Sequence, residues 1–80
     1  MSKRKLNKLF GELVRQAREL RQQSQENLGF EVGMHRNYIG MIERGERNIS
    51  FEKALILIQY LEINIKELYD EVPLCKQKRK

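Results

Sequence analysis

Two pairs of apolar residues straddle a single glycine, and this arrangement limits the chain more than any other feature. Leu28 and Val32 lie four apart and Ile39 and Ile42 three apart, so each pair shares one face of a short helix, with Gly33 between them. A glycine there ends the first helix in left-handed backbone, which other residues enter only at a steric cost. A turn of about three to four residues then starts the second helix at a steep angle. The stretch from Ser24 to Ser50, SQENLGFEVGMHRNYIGMIERGERNIS, is thus expected to form two short helices, a tight turn and a basic loop.

That is a helix-turn-helix, and its second helix has a face to spare. At ~100° per residue, Ile39, Ile42, Glu43 and His35 point one way. Asn37, Gly40, Met41 and Arg44 point the other way, with Arg36 and Tyr38 on the flanks. Such a face suits a DNA major groove. Arg donates two hydrogen bonds to guanine, Asn pairs with adenine, Gly lets the backbone come close and Met touches a thymine methyl. Arg36, Asn37 and Met41 are the base-reading candidates, together with His35 at the head of the helix; a solvated polar face is the alternative. The loop after this helix, Arg44-Gly45-Glu46-Arg47-Asn48, leads to Ser50 as the next N-cap. Free amides at that helix start, beside Arg44, Arg47 and Asn48, suit a DNA phosphate. Tyr38 and Ser50 join the backbone-contacting candidates.

Charge supports this only through its placement. The net charge is +5, yet residues 1–8 and 76–80 carry four basic side chains each, while residues 9–75 hold eight basic and eleven acidic ones, a balance of −3. A few placed arginines, not a basic body, must meet the DNA; the tails would add a salt-sensitive, sequence-independent attraction, but the C-terminal one is expected to be a solubilising, disordered end.

Eighty residues make one small domain that buries only about two-thirds of its surface on folding, so oligomerisation would help it. No apolar run is long enough to cross a membrane, and MSKRKLNKLF has no signal-peptide core, which predicts a cytoplasmic protein without membrane partners. The one cysteine, Cys75, and the one histidine, His35, make neither a disulfide nor a metal site. No cofactor, small-molecule ligand or catalytic set is expected.

In chain order, Leu6, Leu9, Phe10, Leu13, Val14, Ala17 and Leu20 predict a core-facing first helix from about Asn7 to Arg21. Ser24 caps the second helix. A fourth helix from Phe51 to Leu61 has Phe51, Ala54, Leu55, Leu57, Ile58 and Leu61 as core positions, and a short last helix is capped by Asn64. Residues 1–72 are expected to form the DNA-binding and dimerisation domain, with a basic arm over 1–8, and Pro73 to begin a basic tail over 73–80. The fold class is all-α, a compact bundle of about five helices.

Gln25-Glu26, Leu28, Gly33, His35-Arg36-Asn37-Tyr38-Ile39 and Ile42-Glu43-Arg44-Gly45-Glu46-Arg47-Asn48-Ile49-Ser50 resemble the phage-repressor-like, or Xre-type, helix-turn-helix family. The run HRNYIGMIERGERNIS looks most like its restriction–modification controller proteins, and the similarity runs from about Phe10 to Tyr69. The resemblance implies an Arg18–Glu43 ion pair tying the recognition helix to the first helix, a phosphate contact at Gln25, and a loop at Arg44 and Arg47 lying along the DNA backbone. It also marks departures. Gln22-Gln23 replace a usual Gly-Leu, so without the glycine stop and apolar staple the end of the first helix is expected to fray or to continue as a tighter turn. Gly29 stands for alanine, and Phe30 for a charged residue without a functional account.

Ile56 stands where relatives usually place lysine, which leaves Ala54-Leu55-Ile56-Leu57-Ile58 apolar nearly all round. A helix apolar all round needs a second covering surface, and a two-fold homodimer is the simplest. Ile56, Tyr60, Ile63, Ile65, Leu68 and Tyr69 are the expected interface; one monomer core filled by all of them is the alternative. The resulting expectation is a homodimeric regulator of transcription on double-stranded DNA with a near-palindromic operator, of the restriction–modification controller kind. A phage-type repressor or antitoxin is the alternative within this chemistry, and a helical protein-interaction module is the alternative from another class.

Overall fold

Short polar side chains start four of the helices in the computed structural model, which describes residues 3–71. Ser24 Oγ accepts the Asn27 amide at 2.9 Å, His35 Nδ1 the Asn37 amide at 3.0 Å, Ser50 Oγ the Lys53 amide at 3.2 Å and Asn64 Oδ1 the Lys66 amide at 3.0 Å. Each bond satisfies an amide that the helix itself leaves free. Gly33, at φ 75°, closes the second helix, and the Gly33 and Met34 amides both turn back to the Gly29 carbonyl. The helices are α1 (Lys3–Leu20), α2 (Gln25–Val32), α3 (Arg36–Glu43), α4 (Phe51–Leu61) and α5 (Lys66–Glu71), and no strand occurs among the described residues. The expected tail over 73–80, with Pro73 and Cys75, lies outside the described residues.

Helix α1 begins at Lys3, not near Asn7, so Lys3–Lys8 form its first turns instead of a separate arm. Lys, Arg and Leu are good helix formers and no proline interrupts them. Half-buried Leu6 and Leu9 carry the apolar stripe to this end. At the other end the helix stops cleanly despite the missing glycine. Gln22 takes the left-handed conformation, φ 58°, and the Gln23 amide bonds the Arg18 carbonyl at 3.1 Å. The Gln23 side chain replaces the apolar staple with polar links, donating from Nε2 to Asn27 Oδ1 at 2.8 Å and to the Tyr60 hydroxyl at 3.0 Å.

The core joins Phe10 and Val14 of α1, Leu28 of α2, Met34 of the turn, Ile39 and Ile42 of α3, and Leu57 and Leu61 of α4. Helix α1 can lie close to the end of α3 because Gly11 has no side chain: a methyl group there would run into the carbonyl oxygens of Ile42 and Glu43. Gly29 meets the same demand against the Met34 carbonyl.

Three expected core residues are not in it. Leu20, Phe51 and Leu55 are 86, 79 and 47 % exposed. The apolar girdle of α4 is wider than the stripe that this thin bundle covers, and Phe51 and Leu55, one turn apart, are what remains outside.

The six expected interface residues do not share one surface. Ile56, Tyr60, Ile63 and Leu68 are partly buried against the chain's own core. The Tyr60 hydroxyl accepts from Gln23, and the Arg21 guanidinium lies 5.1 Å from its ring centroid, so it belongs to the α1–α2 turn. Ile65 and Tyr69, together with the outer side of Leu68, line an open apolar groove of about 310 Å³ with Leu6, Phe10, Ile49, Ala54 and Ile58.

Candidate nucleic-acid interface

The recognition helix is held from behind by one buried carboxylate. Glu43, 8 % exposed, accepts from Arg18 Nε at 2.7 Å and Arg18 Nη2 at 3.0 Å, and from Gln25 Nε2 at 3.0 Å. Arg18 also donates from Nη1 to the Gln23 carbonyl at 2.7 Å. The hydrogen bond that Arg18 donates to Glu43 raises the Arg18 pKa above its ordinary value, with burial opposing it. One carboxylate thus links α1, α2 and α3, and the inward face of α3 is fixed by Ile39, Ile42 and this tie.

On the outward face Arg36 and Asn37 are exposed and Met41 is half-buried, all on the one helix. The Arg36 side chain is 62 % exposed and lies 3.6 Å from Glu26 of α2. His35 spends Nδ1 on the helix cap, which leaves only Nε2 for any outside partner. Gly40 is not on the open face as its spacing suggests. It is buried, and a Cβ there would meet Arg44 Nη1 at 3.2 Å and Gln25 Oε1 at 3.3 Å, the flexible ends of two side chains that lie over it.

At the head of α2 the first intrahelical donor is the Leu28 amide, and Ser24 takes Asn27, so the Gln25 and Glu26 amides have no intrahelical acceptor. The Gln25 side chain is occupied with Glu43, and it is these backbone donors that are offered to an anion.

The loop after α3 divides its cations. Arg44 makes a two-point pair with Glu46, at 2.8 and 3.2 Å, which raises the Arg44 pKa and lowers that of Glu46. Arg47 is exposed, with its guanidinium carbon 5.3 Å from the Tyr38 ring centroid. Asn48 Oδ1 accepts from Asn7 Nδ2 of α1 at 2.7 Å, leaving its own Nδ2 donors outward. Ser50 caps α4 and keeps its hydroxyl proton.

Sequence reasoning missed Lys53, whose ammonium is 5.8 Å from the same ring, and the buried Met34 and Gly11. The i, i+3 step from Ser50 could have placed Lys53 over the cap. Nothing in the sequence reveals Gly11, because its partner is thirty-one residues away at Ile42.

Among the described residues no group of three or more His, Cys, Asp or Glu gathers as a metal site, and no helix is long and apolar enough to cross a membrane.

The comparisons agree with this geometry. The family model for the helix-turn-helix matches residues 14–68. Control protein C.BamHI of Bacillus amyloliquefaciens is 42% identical over 74 residues, which cover 89% of this chain and 91% of that protein. Control protein C.SmaI of Serratia marcescens is 36% identical over 63 residues, 79% of this chain and 75% of that one. The crystal structure of the restriction-modification controller protein C.AhdI from Aeromonas hydrophila matches with a TM-score of 0.73 at 37% identity, covering 85% of this chain and 99% of that chain.

Proposed function

This chain belongs to the helix-turn-helix family, with the restriction–modification control proteins as its relatives, and we propose that it regulates transcription as a homodimer on a near-palindromic operator. It is a DNA-binding regulator; the two-fold arrangement, the operator and the roles of single residues are our reading.

The observation that carries it is the face with exposed Arg36 and Asn37 and half-buried Met41, on a helix whose back is locked by the Arg18–Glu43–Gln25 tie. Such a helix enters a groove as a rigid body, and nothing needs to be ordered before contact. Arg36 meets a guanine edge, Asn37 an adenine and Met41 a thymine methyl, with the His35 Nε2 at the groove margin. The exposed Glu26 contact, at 3.6 Å, is weak enough for Arg36 to leave. The Gln25 backbone amide, Arg47, Asn48 and Ser50 take the flanking phosphates, as does Arg44 once it leaves Glu46, and the Tyr38 ring lies beneath the Arg47 guanidinium.

For the dimer, Phe51 and Leu55 of α4, Ile65 of the turn before α5, and Leu68 and Tyr69 of α5 form the self-complementary surface. Two exposed large side chains one turn apart beside an open apolar groove are what a second copy would cover. Two copies so joined would present their α3 helices to successive major grooves, ~34 Å apart.

Selection of bound sequences from a random duplex pool, with Arg36→Ala as the partner experiment, tests this. An enriched two-fold motif that blurs at one symmetric position in the variant supports base reading by Arg36, with a loss of about 1–3 kcal/mol. Salt-sensitive binding without enrichment would point to a protein-interaction module instead. Equal weakening on every sequence would remove Arg36 from base reading.

A further inference from the structure

The positive charges beside α3 are not equally available to an anion. Arg44 is occupied by Glu46, and Arg36 has Glu26 nearby. For Arg47 and Lys53 no ion pair occurs among the described residues; instead both lie against one aromatic ring, at 5.3 and 5.8 Å from the Tyr38 centroid. That ring is carried by α3 and half-buried against the core, so it is a fixed seat.

The arrangement is electrostatically poor for the free chain. Two cations crowd one ring, and Lys53 sits in the first turn of α4, where the helix dipole disfavours positive charge. An anion placed between them relieves both conflicts, and the ring keeps both side chains near that place. The two come from different elements, Arg47 from the loop and Lys53 from α4, so the ring sets their spacing relative to the recognition helix.

We infer that Lys53 and Arg47, seated on the Tyr38 ring, form one backbone-phosphate contact of each half-site, and that Tyr38 is a positioning residue acting through its ring and not its hydroxyl. This rests on the DNA-binding reading above.

The test is fluorescence anisotropy of the full chain on its selected duplex and on a scrambled one, over a salt series, for wild type, Lys53→Met, Tyr38→Phe and Tyr38→Leu. Lys53 is exposed, so its truncation leaves the fold intact. For Lys53→Met, the slope of log affinity against log salt falls by about 0.9 per half-site, and both duplexes weaken by the same factor. Tyr38→Phe binds within about twofold of wild type because it keeps the ring. Tyr38→Leu weakens both duplexes, and adding Lys53→Met to it weakens them little further. An unchanged slope in Lys53→Met, or Tyr38→Phe binding as weakly as Tyr38→Leu, overturns the inference while leaving DNA binding in place. Failure of the wild type to prefer any duplex overturns the underlying reading as well.

Discussion

Replacing Arg18 by alanine removes two charge-assisted bonds to Glu43 and one to the Gln23 carbonyl, and leaves behind a carboxylate whose side chain is 3 % exposed. Of the partners of Glu43 only the Gln25 amide remains. Breaking one side of a buried pair typically destabilises by about 3–5 kcal/mol. The Arg18 side chain is 11 % exposed, so water can follow it in part, and we take the lower end, about 3 kcal/mol. For a chain of this length the whole stability is of order 4–12 kcal/mol, so the variant loses a large share of it. The melting temperature should fall by roughly 12–24 °C, at about 4–8 °C per kcal/mol for a domain of this size. Urea denaturation of wild type, Arg18→Ala, Glu43→Gln and the double variant measures the coupling, expected at about 2 kcal/mol or more. If Arg18→Ala costs under about 1 kcal/mol, the pair is worth no more than a surface bridge, and the picture of α3 locked from behind is wrong.

Gln22→Gly should stabilise the chain: it relieves about 1–2 kcal/mol of left-handed strain at φ 58° and returns about 0.4–1 kcal/mol of freedom to the unfolded chain, a net gain of about 0.5–1 kcal/mol in urea melts. A loss of stability would mean that the Gln22 side chain makes up for the strain. Leu55→Glu places a charge on the proposed dimer surface and should weaken self-association at least tenfold, about 1.4 kcal/mol, by sedimentation velocity, with the monomer still helical; unchanged sedimentation would move the dimer surface elsewhere. The Glu46 carboxyl, held down chiefly by its hydrogen bond from Arg44, should titrate below the usual glutamate range by carbon NMR and return to it in Arg44→Met. Because that folded pKa is depressed, the pair contributes above the ordinary glutamate range and is lost as pH falls through the lowered value. A normal titration in the wild type would show the pair to be absent in solution.

What the amino-acid sequence determined by itself is what neighbours along the chain decide. Ser24, Ser50 and Asn64 cap the amides two or three residues ahead of them, and Gly33 ends α2 through its own φ, so these boundaries were legible. The inward pair Ile39 and Ile42 and the outward Asn37, with Arg36 on the flank, followed from a period of 3.6, and the Arg18–Glu43 tie from family resemblance.

Tertiary structure decided everything that depends on which element covers which. Phe51, Leu55 and Leu20 have the same apolar character as Leu57, and only the narrow reach of the other helices leaves them outside. Gly40 is covered because the Arg44 and Gln25 side chains lie over it, and Gly11 is required because the end of α3 lies on α1. Which cations remain available is also decided through space: Arg36 meets Glu26 from another helix, while Arg47 and Lys53 converge on Tyr38 from two different elements. Periodicity records a direction around one helix axis, whereas burial and charge pairing are sums over all the elements that pack against it.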